Sequence, residues 1–317
     1  MKRLKIGVIG VGIMGLNHIR NLVRENHFEL AGFYDIRKEQ AETVQETYQV
    51  KAWNDMDDLL DNVEAVVIAV PSSLHKEVGL KAVDHGVHAL IEKPLAINSQ
   101  DAKILNEAFS RKNLILTVGH IERFNSVIIE LKKIIEDERI FYVEANRFSP
   151  YDGRIMDVGV VEDLMIHDID LVCHLLGYER IKSIWGTGES LKTGYLDFAT
   201  CILNFTSDAH AVINASRVSQ SKERLISVHT ENSCIVADLL QKNLTITKNT
   251  NMVIDSAGSD TYRQDGIVQK IFVPIKEPLR EELFAFYRSV VDGCPVAVTG
   301  ETAIKAIEIC EKIVGQA

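Results

Sequence analysis

Two short segments of the chain carry side chains suited to proton transfer and charge stabilisation. Lys93 follows Glu92 at the end of an apolar run, where a charged pair is costly to bury without partners. Asp163 and His167 are four residues apart on a predicted helix, so their side chains share a face. A lysine ammonium can stabilise a developing alkoxide, and a histidine oriented by a carboxylate can move a proton near neutral pH. We therefore expect Lys93, His167 and Asp163 to be catalytic.

Each segment also has other interpretations. The alternative for Glu92 and Lys93 is a surface turn with an ordinary ion pair. On the helix, Asp170 and His174 extend the polar stripe, which is also the pattern of a solvated face. Two aspartates and two histidines are a possible metal site. Further ligands are not obvious, however, and Lys93 already offers a cation for a substrate oxygen, so we predict no metal.

A glycine-rich segment near the start of the chain predicts a dinucleotide site. Gly10-Val-Gly-Ile-Met-Gly15 follows an apolar strand and opens a helix, the context in which such glycines let the backbone approach a pyrophosphate. Asp35 lies 20 residues past Gly15, where a carboxylate accepts ribose hydroxyls and repels a 2′-phosphate. We predict NAD, with NADP possible because Arg37 and Lys38 follow; these two we interpret as a solvated helix start. The expected cofactor contacts here are Gly10, Gly12, Ile13, Met14, Gly15 and Asp35.

Two more segments stand where parallel strands end. Val67–Val70 runs into a loop that contains Pro71 and His75, and His88–Ile91 runs into Glu92-Lys93-Pro94. Open α/β sheets place their ligands at the carboxyl ends of their strands. We therefore add four residues to the expected cofactor contacts: Pro71, His75, Glu92 and Lys93.

Apolar runs and helix-period segments alternate in the first third of the chain, which predicts βαβ units. Beyond Gly119 a helix at about 160–176 leads into a series of strand-like runs, with the polar stretch 248–266 as a turn region. This later pattern predicts a largely antiparallel sheet with helices on one face. We therefore predict an α/β protein with a Rossmann doubly wound parallel sheet in residues 1–119. Residues 120–317 should form an α+β domain with an open, largely antiparallel sheet, for substrate binding and oligomerisation.

The composition excludes several classes of protein. With 46% hydrophobic residues among 317, the chain is too apolar to be disordered, yet no apolar run approaches the ~18 residues of a membrane helix. A net charge of −10 argues against a sequence-independent grip on nucleic acid. Residues 1–119 carry 14 basic and 16 acidic side chains, against 21 and 29 in the remainder, so most of the acidity lies in the second part. Five widely spaced cysteines without a C-x-x-C motif indicate reduced thiols in a cytoplasmic protein.

Together, the glycine fingerprint, the loop Pro71–His75, Glu92-Lys93-Pro94 and the later Asp163 and His167 resemble the Gfo/Idh/MocA oxidoreductases over nearly the whole chain. The resemblance implies that Lys93 is catalytic and that the peptide bond after it is cis. It further implies that His167 transfers the proton while Asp163 binds substrate or tunes its neighbours, as hydride passes from a sugar carbinol to nicotinamide. Some members of the family give the base role to the lysine, so both residues stay open as the base.

The segment Val118-Gly-His-Ile-Glu-Arg-Phe-Asn125 is similar to a branch of that family which oxidises the 3-hydroxyl of UDP-N-acetylglucosamine. That branch typically has proline where this chain has Ser126. We expect Arg123, as a donor to phosphate or carboxylate, to bind substrate together with Asn125 and Asp163. The alternative for Arg123 is an interdomain ion pair. Two other functions stay open: oxidation of a neutral polyol or free sugar such as inositol, and NAD(P) binding by a non-catalytic regulator.

The expected partners are a sugar or nucleotide-sugar substrate and further copies of the chain. One face of the predicted antiparallel sheet lacks covering helices, and relatives commonly assemble through that sheet, so we expect a homodimer or homotetramer. Alternating runs at Phe198–Phe205 and Ala209–Ala215 are the interface candidates. Packing within the chain would explain them equally well.

Overall fold

The computed structural model describes residues 2–153, 158–254 and 262–317. The chain divides into two compact units. The first consists of Met1–Ile121 with Glu277–Glu308, and the second of Glu122–Lys276 with Ile309–Ala317. The chain therefore leaves the first unit after Ile121, returns to it at Glu277 and ends in the second unit.

A parallel sheet with alternating helices forms most of the first unit. In chain order its elements are β1 (Leu4–Ile9), α1 (Ile13–Leu22), β2 (Phe28–Tyr34), α2 (Lys38–Tyr48), α3 (Met56–Leu60), β3 (Ala65–Ile68), α4 (His75–Asp84), β4 (His88–Glu92), α5 (Ser99–Arg111) and β5 (Leu116–Gly119). All neighbouring strands pair in parallel, in the order β2-β1-β3-β4-β5. Every residue of β3 is buried, which is typical of a parallel sheet covered on both faces. The predicted Rossmann sheet is confirmed.

An eight-stranded sheet dominates the second unit. Its elements are α6 (Ser126–Ile134), β6 (Ile140–Phe148), α7 (Ile166–Leu176), β7 (Ile181–Glu189), β8 (Phe198–Phe205), β9 (His210–Ser216), β10 (Glu223–Thr230), β11 (Cys234–Asp238), β12 (Asn243–Ile254) and β13 (Tyr262–Phe272). The strand order is β13-β12-β11-β10-β6-β9-β8-β7. Among these neighbours β6 and β9 pair in parallel and the others antiparallel, so the predicted sheet type is confirmed.

The closing helices differ from the prediction of a second domain over residues 120–317. These helices are α8 (Pro278–Val291) and α9 (Gly300–Val314), and all of α8 and most of α9 belong to the first unit. The apolar side chains Leu283, Phe286 and Tyr287 of α8 join the core that contains Phe28 and Phe33. Burial of this apolar stripe explains the return of the chain, since periodicity predicts such a stripe but not the sheet against which it packs.

The stretch 248–266, expected as a turn region, is largely strand. β12 and β13 pair in register from Asn243 with Phe272 to Ile254 with Tyr262, with one irregularity between Asn249 and Asn251. The prediction failed because polar residues fill these strands, so the alternation of apolar residues that marks a half-buried strand is weak there. Residues 255–261 of that stretch lie outside the described residues.

Two expectations from composition meet direct observations. None of the helices in the described part of the chain has the length and apolar character that crossing a membrane requires. All five cysteines are free thiols, three of them buried. Burial raises the pKa of Cys201 to about 12 and that of Cys173 well above its ordinary value, which keeps both thiols protonated.

Candidate active site

The glycine-rich turn between β1 and α1 leaves space where a dinucleotide needs it. Gly10 has φ +87°, and a Cβ atom there would lie 2.7 Å from the Ala69 carbonyl oxygen. A Cβ atom on Gly15 would lie 1.9 Å from the Gly10 carbonyl oxygen, so the start of α1 approaches the turn closely. Around Gly12, in contrast, no atom lies within 4 Å of the Cβ position. A tight turn beside open space at a helix N-terminus fits the pyrophosphate of NAD.

Asp35, at the end of β2, is held by the backbone and by one cation. Its carboxylate accepts hydrogen bonds from the Val11 amide at 2.8 Å and from the Arg37 amide at 2.8 Å. The Arg37 guanidinium donates to both carboxylate oxygens at 3.0 Å, although we expected this residue in a solvated helix start. Burial on its own would raise the pKa of Asp35, but these hydrogen bonds outweigh it and hold the pKa below its ordinary value.

His75 joins the ends of two parallel strands. It is 1% exposed, with Nδ1 2.8 Å from the Pro94 carbonyl oxygen and Nε2 3.0 Å from that of Val70. Burial lowers its pKa despite these two contacts. Of the expected cofactor contacts after β3, Pro71 is exposed, whereas the ring of His75 contacts the backbone.

Glu92 ends β4 inside the protein, so the interpretation of this pair as a surface turn is wrong. It is 8% exposed, and its Oε1 lies 2.7 Å from Nε2 of His18, which is completely buried. Lys93 is half-buried, and the peptide bond between Lys93 and Pro94 is cis, as the resemblance implied. The buried Glu92–His18 pair therefore anchors the residue that precedes the expected catalytic lysine.

In the second unit, Asp163 and His167 lie on a helix with an irregular first turn. A π-helical turn, Val161–Met165, carries Asp163, and His167 is the second residue of α7. Both side chains are half-buried. We predicted one regular helix over this stretch; a π turn has no marked residue pattern, and it occurs often at functional sites. That the side chains of Asp163 and His167 share one face of the helix stays a prediction.

The continuation of the polar stripe, Asp170 and His174, is surrounded by cationic side chains. Asp170 is 1% exposed and accepts hydrogen bonds from Arg123 and from the Tyr178 hydroxyl, the latter at 2.8 Å. Burial, Arg123 and Lys132 lower the pKa of His174 to about 4, so this ring is neutral. No group of three or more histidines, cysteines or carboxylates in the described residues is arranged to hold a metal ion.

Arg123 forms the ion pair that was its alternative interpretation, although within one unit. Its Nε and Nη2 donate to the two oxygens of Asp170 at 2.7 and 2.6 Å, and the residue is 8% exposed. Asn125 is 6% exposed and caps α6, accepting from the Val127 amide and donating to Glu122. Both side chains are therefore engaged by protein groups, which leaves the expected substrate contacts at these positions without geometric support.

A second buried network lies beside the first, and the sequence reasoning missed it. Arg147, 2% exposed, donates to both oxygens of Asp168 at 2.6 and 3.0 Å and to Glu122 at 3.1 Å. Arg224 also donates to Glu122 at 3.1 Å. The sequence contained a sign of this network, because Arg147 follows Val143 and Ala145 at every second position and so lies on the buried face of β6. Asp168 and Asp170 follow His167 by one and three residues on α7, so the two arginines hold the part of the helix next to His167.

Comparisons with known proteins agree with this architecture. The family model for the NAD-binding Rossmann fold of the Gfo/Idh/MocA oxidoreductases matches residues 4–120, and the model for a Gfo/Idh/MocA C-terminal domain matches residues 134–236. UDP-N-acetylglucosamine 3-dehydrogenase of Acidithiobacillus ferrooxidans is 33% identical over 247 residues, which cover 78% of this chain and 77% of that protein.

Two further comparisons extend over nearly the whole chain. Myo-inositol 2-dehydrogenase of Thermotoga maritima is 27% identical over 321 residues, which cover 96% of this chain and 93% of that protein. A solved structure of the Acidithiobacillus enzyme has a TM-score of 0.89 at 27% identity, with 100% of this chain and 98% of that one covered. The chain thus belongs to the Gfo/Idh/MocA family of NAD-binding oxidoreductases.

Proposed function

We propose that this oxidoreductase transfers hydride from a secondary alcohol of a sugar to NAD, and that the substrate is a UDP-N-acetylhexosamine oxidised at its 3-hydroxyl. The observation that carries the proposal is Lys93, which follows a buried Glu92 at the carboxyl end of a strand in an NAD-binding sheet. Ligands of open α/β sheets lie at that edge. The relative that is 33% identical over 78% of this chain is named as a UDP-N-acetylglucosamine 3-dehydrogenase.

Each proposed catalytic residue has a distinct task. The Lys93 ammonium stabilises negative charge on the substrate oxygen, and His167 accepts the hydroxyl proton. Asp163 binds a substrate hydroxyl or orients the histidine. NAD, when bound, supplies the carbon that receives the hydride. This assignment needs no metal ion, since the lysine already provides the positive charge.

A neutral polyol is the second candidate substrate, and two observations favour it. The relative covering 96% of this chain is named as a myo-inositol 2-dehydrogenase. In addition, the Asp170 ion pair engages Arg123, the donor expected for a diphosphate, in the more acidic part of the chain. A UDP-sugar would therefore need other local donors to offset this unfavourable field.

The test is a substrate panel with each cofactor. The protein is incubated with NAD or NADP and with UDP-N-acetylglucosamine, UDP-N-acetylgalactosamine, myo-inositol or glucose, while absorbance of the reduced nicotinamide is followed. Because 3-oxidation is expected to be uphill, a parallel series contains 2-oxoglutarate as a possible hydride acceptor, with products identified by mass. Oxidation of a UDP-sugar supports the proposal, and turnover of a polyol alone contradicts its nucleotide-sugar part. NAD binding without turnover of any substrate would favour the regulator.

We also propose that two or four copies assemble through the eight-stranded sheet. Val143 and Ala145 of β6 are buried, whereas Ile202 on β8 and Val212 on β9 are only half-buried. A half-buried apolar surface on a sheet is suited to association with a second copy. Sedimentation equilibrium should give a mass that is two or four times 35.5 kDa. A mass of one chain at micromolar concentration would contradict the assembly.

A further inference from the structure

One buried acidic side chain in the first unit has no role in the function proposed above. Glu282 lies on α8 and is 2% exposed. Neither of its carboxyl oxygens has a hydrogen-bond partner among the described residues. Burial of a neutral polar group without a hydrogen bond costs about 2–7 kcal/mol. A charged carboxylate in the same place would cost more, because it would lose its hydration without compensation.

The surroundings of Glu282 favour its neutral form. Burial raises the pKa of this carboxyl well above its usual range, and the nearby charge of Glu92 raises it further. Two carboxyl groups that share a buried site seldom ionise together, because like charges repel strongly where water is absent. Glu282 therefore carries a proton at neutral pH.

The carboxyl group of Glu92, in contrast, is held by neighbouring groups. His18 Nε2 lies 2.7 Å from its Oε1, and His18 Nδ1 has no partner in the described part of the chain, so the identified polar contact of this ring is the one with Glu92. The other oxygen sits against β5, where a Cβ atom on Gly119 would be only 2.9 Å away. Groups from α1 and β5 thus lie against the Glu92 carboxyl group, and its charge acts on Glu282 of α8 and on His75 of α4.

We infer that Glu282 is a positioning residue: as a neutral acid it allows His18 to hold Glu92, and through Glu92 it fixes the end of β4 that carries Lys93. The inference rests on the catalytic role proposed for Lys93. We define His18, Glu92 and Glu282 as the β4 acid cluster. Loss of the Glu282 proton adds one negative charge to this cluster.

The β4 acid cluster has a definite pH dependence. The pKa of Glu282 is raised in the folded protein above that in the unfolded chain, so the folded state retains a proton that the unfolded state has released. Its stabilising effect is complete at pH values below the ordinary glutamate pKa. The effect is lost progressively as the pH rises from there towards the raised pKa. A carboxylate held by a cation would show the opposite trend.

The experiment compares Glu282→Gln with Glu46→Gln. The amide imitates a protonated acid and cannot ionise, and Glu46 is an exposed carboxylate on α2 of the same unit. Melting temperatures are measured from pH 5 to pH 8. Glu282→Gln should gain on the unsubstituted protein as the pH rises, by about 5 °C across the range, whereas Glu46→Gln should show a constant difference.

A second measurement separates positioning from stability alone. In assays with the substrate from the panel, the alkaline limb of kcat should move to higher pH in Glu282→Gln, by roughly half a unit or more, with KM for NAD unchanged. Glu282→Ala should lower kcat, and Glu282→Gln should restore it.

A melting difference that stays flat or reverses with pH would overturn the inference. A widening difference without movement of the kcat limb would also overturn it, since the cluster would then affect stability only. If no substrate of the panel is oxidised, the proposed function fails on its own. The melting series still decides whether Glu282 is protonated.

Discussion

In the first unit the buried carboxyl of Glu282 has no hydrogen bond among the described residues, whereas in the second unit Asp168 and Asp170 each receive two charged donors from an arginine. The charge of Glu92, the residue before Lys93, acts on Glu282, and Asp168 and Asp170 follow His167 closely in the sequence. The first unit neutralises its acid with a proton, and the second neutralises its acids with guanidinium groups. The stability of the two units should therefore respond to different perturbations: that of the first unit to alkaline pH, and that of the second to loss of an arginine.

The catalytic residues themselves should give the largest effects. Lys93→Met and His167→Ala should each lower kcat at least about 10³-fold, which corresponds to roughly 4 kcal/mol of transition-state stabilisation. NAD affinity, measured by fluorescence titration, should stay within about threefold, because Lys93 is only one of the expected cofactor contacts and neither change touches the glycine-rich turn or Asp35. Lys38→Met is the matched control for Lys93→Met, because Lys38 is an exposed lysine at the start of α2.

The pH profiles of these two variants would assign the base. Loss of the acidic limb in His167→Ala alone would identify His167, while loss in Lys93→Met alone would give the role to the lysine. Full activity in either variant would contradict the catalytic role of that residue.

Arg147 tests the arginine-based solution. Arg147→Met leaves Asp168 and Glu122 buried with fewer donors, so the free energy of unfolding should fall by about 3–5 kcal/mol in urea titrations at pH 7. Arg139→Met is the control, since Arg139 pairs with Glu231 at the surface and should contribute below about 1 kcal/mol. Equal small losses in both variants would show that the second unit keeps its buried acids protonated, as the first unit keeps Glu282.

Arg123 separates an ion pair from a substrate contact. Arg123→Met leaves Asp170 with the Tyr178 hydroxyl as its remaining donor of those identified, and it should lower the free energy of unfolding by about 2–3 kcal/mol. KM for a UDP-sugar, measured below the melting transition, should change less than about threefold. Tyr178→Phe should cost about 1 kcal/mol and leave KM unchanged. A KM increase above about tenfold with stability intact would restore the expected diphosphate contact.

Features that depend on neighbouring residues in the sequence were predicted, whereas features that depend on residues far apart in the sequence were not. The glycine turn and the strands of the parallel sheet follow from local patterns and were predicted correctly, and the cis bond at Lys93 was implied by the family resemblance. The return of α8 to the first unit depends on residues more than 240 positions away, which periodicity cannot identify. The buried pairing of Arg147 was missed for the same reason, and for Arg123 the ion pair was only the alternative interpretation, with no partner identified. The sequence alone does not show whether an arginine binds an anionic ligand or a buried carboxylate of the protein, because the carboxylate is brought next to it only by folding.

The pair of Asp35 and Arg37 should give the smallest effect, because its guanidinium group is largely exposed. Arg37 is 58% exposed, and such a pair contributes about 0.2–1 kcal/mol. Arg37→Ala should leave the melting temperature nearly unchanged and NAD affinity within about threefold, while NADP affinity falls further, since a guanidinium near the ribose is the group that accommodates a 2′-phosphate. Lys38→Ala is the control for a general loss of positive charge, and it should shift both affinities equally. Fluorescence titration with both cofactors checks the ratio. If NAD binding weakens more than NADP binding in Arg37→Ala, the guanidinium holds Asp35 in its binding position, and this exposed pair joins the arginine-held carboxylates of the second unit.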